Sequence, residues 1–435
     1  MGMKISDFNR YALGICAVTA LLAGCGALPL DSAQGRLAQG DKAGDGMGPL
    51  TSGAYKVLYS FNAGTDASLP FAEDAPLVVS DGLLYGTTAE GGGGCGDSGC
   101  GTVFQASPTG AEHVVYRFKG QPDGQNPTSS LTRLRGTWYG VTAAGGSSGN
   151  GAVFAVDRSG HEHVVYSFKG GSDGAMPFGW LLAFNGKLYG TTANGGTSGS
   201  SCNENPGLGT VFEVSPTGAE SVLYRFKGIP DACNPMAGLI VLDGRLYGTT
   251  INGGTFGFGS VFAITTAGNE RVLYSFKYGA KDGAGPLAPL IAVAGKLYGT
   301  TTDGGSEGYQ GTVFEVSLSG AERVLHRFIK NVTDGSYPES ALLYRNGELY
   351  GTTDTGGSSA CKNAGCGTVF EVNTSSGKER VLHFFAGPPD GHNPTGGLTA
   401  INNTFYGTTY GGGAGSCYSG LGCGTVFSLE AKGAQ

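Results

Sequence analysis

Seven aspartates each stand four residues before a proline: Asp66, Asp123, Asp173, Asp231, Asp282, Asp334 and Asp390. Six glutamates, Glu112, Glu162, Glu220, Glu270, Glu322 and Glu379, recur just before an apolar run such as "SVLYRF". Seven tyrosines, Tyr85, Tyr139, Tyr189, Tyr247, Tyr298, Tyr350 and Tyr406, open a YGTT or near-identical tetrapeptide. Carboxylates can act as general acids, general bases or calcium ligands, and a tyrosine can stack on a sugar or carry a proton. Recurrence points the other way, because a side chain needed in every copy of a repeat is most simply a fold residue. Asp bonds nearby backbone and fixes turns. One carboxylate per copy falls far short of calcium's roughly six to eight oxygens, so calcium would need backbone carbonyls as well. The Glu placement suits a turn or cross-strand partner. The tyrosines, with Phe104, Phe154, Phe212, Phe262, Phe314, Phe370 and Phe427 of the GTVF segments, suit packing between repeats. His161 and His163 could share one side of a strand, while His326 and His383 occupy the tyrosine slot of "VLYSF". No Ser, His and Asp arrangement, GxSxG elbow or phosphate loop stands out, and no catalytic residue or cofactor is assigned.

The elements that position these residues form one unit, well shown by "PFGWLLAFNGKLYGTTANGG", a loop, then "GTVFEVSPTGAESVLYRFKG". The tyrosines recur every 50 to 58 residues. Each unit offers four strands, here Leu181–Phe184, Lys187–Ala193, Gly209–Ser215 and Ser221–Phe226. The turns Asn185-Gly186, Asp243-Gly244 and Asn346-Gly347 are hairpin signals, because both turn positions must tolerate positive φ. The expectation is an all-β fold, a seven-bladed β-propeller of four-stranded antiparallel blades. A lone fourth strand at Lys56–Phe61 and a final third strand at Gly424–Glu430 predict that the N-terminal strand completes the last blade.

This pattern of YGTT, GG and GTVF resembles the GloVer tandem repeat of bacterial exported proteins, over about Lys56 to Glu430. The resemblance implies export and anchoring and no established reaction. The first unit departs slightly: Tyr55 replaces the recurrent Glu, and "FAEDAP" adds residues after Pro70.

Lys4, Arg10 and the apolar stretch Tyr11–Ala23 read as an export signal, and Leu22-Ala23-Gly24-Cys25 resembles a lipobox, making Cys25 the expected lipidation site. Residues 1–24 are then signal, 25–53 a lipidated flexible tether, 54–430 the propeller and 431–435 a tail. The expected address is the bacterial cell envelope, at the outer membrane or cell surface. A net charge of -7 and a pI near 5.4, without clustered Lys and Arg, exclude a nucleic-acid surface. Setting aside Cys16 and Cys25, eight of the ten cysteines remain. Cys95 with Cys100, Cys361 with Cys366, and Cys417 with Cys423 are local disulfide pairs, leaving Cys202 for Cys233. Zinc is the rival reading, poorly served by these spacings.

Variation says more about function than recurrence does. The distance from the YGTT tyrosine to the next GTVF glycine runs from 12 residues (Tyr139 to Gly151) to 20 (Tyr189 to Gly209). Just before each double glycine the residue changes, from Glu90 to Ala144, Asn194, Asn252, Asp303 and Thr355, with Tyr410 near the same point of the seventh unit. Trp180 stands where other units use small residues. Variable loops on a rigid scaffold suit binding. Glu90, Trp180, Asn194, Asn252, Asp303 and Tyr410 are therefore candidate ligand residues of a monomer that takes carbohydrate or an envelope or surface protein. The alternatives are a polysaccharide lyase or hydrolase, with Glu90, Asp303 and His163 as its candidates, and a structural scaffold of the envelope.

Overall fold

The computed structural model describes residues 54–430 apart from 63, 65, 71–75, 198–201, 203–206, 307, 330–332, 359–360, 362–363, 416 and 418–420. The signal, Cys25, the tether and the tail lie outside the described residues. Among the described residues there is no α-helix, and seven sheets share one pattern of four antiparallel strands, in chain order in six of them. In the third blade the strands are Leu182–Phe184, Lys187–Asn194, Thr210–Val214 and Glu220–Arg225. The second runs one residue further than the apolar pattern predicts, because Asn194 pairs with Ala175 of the incoming connection. Asn185 and Gly186, at φ 49° and 76°, make the expected tight hairpin turn.

Ring closure is as the sequence predicts. Tyr55–Ser60 pairs with Thr425–Glu430, which in turn pairs with Thr404–Thr409, so the chain's first strand is the fourth strand of the seventh blade. First strands of neighbouring blades approach one another, and Val78–Ser80 of the first blade lies against Thr399–Ile401 of the last. Both free sheet edges that an open chain would leave are thereby paired.

The YGTT and GTVF words have a common physical cause. The glycine after each tyrosine lies opposite the GTVF phenylalanine of the next strand, as Gly190 opposite Phe212. A Cβ on any of the seven glycines would lie 2.5–2.7 Å from that ring's Cζ. The ring therefore covers bare backbone. Its edge or face meets the last phenylalanine of the preceding blade's fourth strand, from Phe61 with Phe104 round to Phe385 with Phe427. All seven such pairs have centroids 4.9–5.3 Å apart and planes at 68–76°, the edge-to-face geometry that an aromatic quadrupole favours. The two threonines have separate duties. The second one of each YGTT bonds the Thr or Ser of GTVF at 2.8–2.9 Å in six blades. The first reaches a carbonyl of the next blade's connection in four blades, as Thr191 Oγ1 does to Ala237 at 3.0 Å.

Truncating a fully buried ring costs about 3–5 kcal/mol, so Phe212→Ala should lower the urea midpoint strongly. Gly190→Ala should cost about 1–3 kcal/mol by overpacking. The double variant should cost less than the sum, since removing the ring makes room for the methyl; strict additivity in urea titrations would contradict this account.

Candidate functional site

In each blade the loop between the second and third strands leaves the same end of the sheet as the connection that enters from the preceding blade. The two segments are stitched together. Glu90–Gly91 pairs with Ala67–Ser68, Asn252–Gly253 with Ala232–Cys233, and Asp303–Gly304 with Gly283–Ala284. The double glycine follows from this docking: in six blades the N–H of its second residue donates to the carbonyl of the recurrent Asp at 2.6–3.0 Å. A Cβ on Gly91 would lie 2.3 Å from Asp66 O. The four expected disulfides all form, with Cα atoms 4.9–6.5 Å apart. Cys202–Cys233 ties a long loop to the following connection, and the other three close single loops.

The candidate binding residues sit on this loop-bearing side but are spread over five blades, with Trp180 and Asn194 both in the third. Asn194 is buried, with Nδ2 at 2.9 Å from Met176 Sδ, and Asn252 Nδ2 donates to Asn234 Oδ1 at 3.3 Å. Glu90 and Asp303 are half-buried. Tyr410 is displaced by one residue, since Gly411, opposite His392, holds the place of Glu90 opposite Ser68. Trp180 bridges two blades: its indole N–H donates to Leu239 O at 3.3 Å, and its ring covers Gly238, where a Cβ would meet Cδ1 at 2.6 Å. Of the enzymatic candidates, Glu90 and Asp303 stand in the first and fifth blades, and His163 lies on the outer strand Glu162–Ser167 of the second.

A second group on the same side escaped the repeat analysis. Phe258 in the fourth blade's loop stacks on Tyr278 of the connection at 5.0 Å and 21°, and Tyr278 stacks on Tyr309 of the fifth blade's loop at 4.8 Å and 15°. Tyr309 is 41% exposed, Phe256 49% and Ile229 46%. The Ile229 side chain lies beside Gly257, 3.4 Å from where a Cβ would stand, and Lys277 Nζ is 6.0 Å from the Phe256 ring. Tyr278 and Tyr309 adopt φ of 59° and 54°, a left-handed conformation that bulky residues seldom take. The signal available in the sequence was "TFGFGS" and "EGYQG", aromatic where sibling loops carry Gly and Ser.

The recurrent acids meet between blades. Tyr59, Tyr116, Tyr166, Tyr224 and Tyr274 donate their hydroxyls to Asp66, Asp123, Asp173, Asp231 and Asp282 at 2.8–3.0 Å. Each of the seven Asp residues also accepts a backbone N–H from four or five residues earlier, at 2.7–3.2 Å. Asp thus fixes its turn backward along the chain, by accepting N–H groups that precede it. The recurrent Glu comes from the neighbouring blade, so it is an inter-blade group rather than a turn or cross-strand partner. Burial, and then the Asp charge across the junction, push Glu112, Glu162, Glu220, Glu270 and Glu322 up to about 7. One oxygen of each is buried without a hydrogen bond. Protonated, such a Glu can donate to the tyrosine oxygen or to the Asp; ionised, it faces a second carboxylate.

This closed ring of seven blades, stitched on one side by loops, defines a β-propeller. The chain belongs to the Gloeobacter/Verrucomicrobia repeat family, whose pattern matches residues 44–203 and 197–427. No curated protein matches its sequence. Among solved structures, an oligogalacturonate lyase from Vibrio parahaemolyticus is similar at TM-score 0.51 and 11% identity, covering 87% of this chain and 97% of that one. A gluconolactonase from Xanthomonas campestris is similar at 0.40 and 12%, covering 83% and 97%. The tricorn protease is similar at 0.39 and 11%, covering 78% of this chain, which spans only 27% of the protease. At 11% identity the likeness to the Vibrio lyase is one of fold.

The raised Glu values set a pH dependence. The folded chain holds these protons more tightly than the unfolded one, whose Glu residues titrate near 4.5. Their contribution is full below that value and is lost as pH rises through about 7. Thermal unfolding should therefore occur at lower temperature at about pH 8 than at about pH 5. Glu220→Gln, which cannot ionise, should shallow that decline; a melting temperature that rises across the same window would contradict the assignment.

Proposed function

We propose that this is an exported, envelope-anchored propeller whose loop-bearing side binds carbohydrate or a surface polymer. The carrying observation is the aromatic strip Phe258, Tyr278 and Tyr309, with exposed Phe256 in the same loop as Phe258 and Asn252 and Asp303 in the same two blades. Sugars present apolar C–H faces to rings and hydroxyls to amide and carboxylate groups, and this strip offers both kinds of contact. Two bulky residues held at positive φ on one surface are strain that the surrounding loops must sustain, a condition that gathers at ligand sites. Trp180, Asn194, Glu90 and Tyr410 extend the same side toward other blades.

The anchoring part of the reading rests on Lys4, Arg10, the apolar run and Leu22-Ala23-Gly24-Cys25, and the four disulfides suit an oxidising compartment outside the cytoplasm. A protein partner is the second reading, favoured by Ile229 and Phe256 together on one exposed apolar surface. The polysaccharide-active reading shares its fold with the Vibrio lyase, and the acids and histidine proposed for it stand in three separate blades.

Glycan-array binding of the purified protein tests the proposal. Tyr309→Ala should weaken capture of the bound glycan about tenfold, the equivalent of about 1.4 kcal/mol of stacking. Trp180→Ala should weaken it if that ring reaches the same ligand. An array with no bound glycan, or binding indifferent to Tyr309, would sink the sugar site. Fatty-acid labelling should vanish in Cys25→Ala, and labelling that survives would sink the anchor.

A further inference from the structure

The seven inter-blade junctions are natural controls for one another. Five combine Asp, Tyr and Glu: Asp66 with Tyr59 and Glu112, and so round to Asp282 with Tyr274 and Glu322. At the seventh blade's junction with the sixth, His383 replaces the tyrosine and Tyr55 replaces the glutamate. There Tyr55 stacks flat on His383, centroids 3.8 Å apart at 8°, and fills the space. The junction between the fifth and sixth blades alone joins a histidine to both carboxylates: His326 on the strand Glu322–Arg327, Asp334 on the connection, and Glu379 at the start of Glu379–Phe384.

The change from tyrosine to histidine alters the chemistry at one point. In the sibling junctions a hydroxyl reaches Asp at 2.8–3.0 Å and donates to it. The shorter imidazole leaves its Nε2 3.5 Å from Asp334 Oδ2, buried and without a hydrogen bond. Glu379 Oε1 is likewise buried and unbonded. Asp334 accepts the N–H groups of Ile329 at 3.0 Å and Gly335 at 2.8 Å, which orient its carboxylate. The ligand atoms of His326, Asp334 and Glu379 all lie within 4.8 Å of one another. Tetrahedral zinc with bonds of about 2.1 Å brings its ligands to about 3.4 Å from each other, within reach of small side-chain rotations.

We propose that His326, Asp334 and Glu379 form a site for one divalent transition-metal ion of the zinc type, holding the fifth blade to the sixth. One imidazole nitrogen and two carboxylates neutralise the ion, and its fourth position remains for water. The ion removes the two defects of the junction together. It gives the unbonded Nε2 and Oε1 a partner, and it places a positive charge between two carboxylates that otherwise repel.

The test is metal titration of the purified protein, with zinc followed by calorimetry and cobalt by its visible absorption. The wild type should bind one equivalent and melt at higher temperature with zinc present, because a ligand that binds only the folded state stabilises it. His326→Tyr rebuilds the sibling junction; it should stay folded and lose the cobalt band and the zinc-induced shift. Glu379→Gln should bind at least about tenfold more weakly, as befits a direct ligand. A wild type that binds no zinc or cobalt overturns the proposal. So do His326→Tyr and Glu379→Gln variants that bind as the wild type does, the outcome expected if only exposed histidines take the ion.

Discussion

Everything else in this ring depends on the contact between a phenylalanine ring and a bare glycine. Placing an aromatic face directly on backbone brings the second and third strands of a blade together with no intervening side chain, and leaves the ring's remaining surface for the neighbouring blade. The seven Phe–Phe edge contacts then run round the whole circle. Because each ring serves its own blade and the preceding one, neither glycine nor phenylalanine can change alone. That coupling explains why these words persist through seven copies while the intervening loops drift in length.

The second constraint is charge. A chain with only 14% charged residues nevertheless places carboxylates in opposed pairs at its blade junctions, with a tyrosine between them in five. The tyrosine satisfies Asp outright, through a neutral donor that needs no counterion, whereas Glu is satisfied only while it keeps its proton. The cost falls on the outer strands, where water can still relieve part of it. The hydrophobic contacts beneath, fully buried, do not share this dependence on pH.

Much of the fold was legible because the physics repeats. Alternating apolar residues, Asn-Gly turns and the stray strand expected at Lys56–Phe61 led to the blade count and to the mode of closure, and cysteine spacing led to the pairings. The Asp–Tyr contact was less visible, although each tyrosine or histidine of the fourth strand stands seven or eight residues before its Asp. A sequence shows the spacing but not that the chain doubles back to join them. The Glu contact was hidden altogether, because its partners lie about fifty residues away in another blade. The aromatic strip was missed for a different reason. Phe258, Tyr278 and Tyr309 occupy non-equivalent places in loops of unlike length, so alignment of the repeats sets them aside as noise.

Two routes to a specific site are open to such a repeat, and they differ in what they ask of the fold. A loop can change freely, as around Tyr309, because its backbone is tied by the double glycine and in places by a disulfide; the scaffold below is indifferent to it. A substitution in the junction must instead respect neighbours on both sides. Histidine satisfies that demand in the tyrosine slot, since its ring still meets the following phenylalanine edge-on: His326 and Phe328 are 4.7 Å apart at 82°, as Tyr274 and Phe276 are 5.1 Å apart at 85°. The aromatic contact is thus preserved while the polar tip changes from a hydroxyl that donates to a nitrogen that can accept. Blade packing therefore tolerates the exchange, and the chemistry of one junction changes without disturbing the ring that carries it.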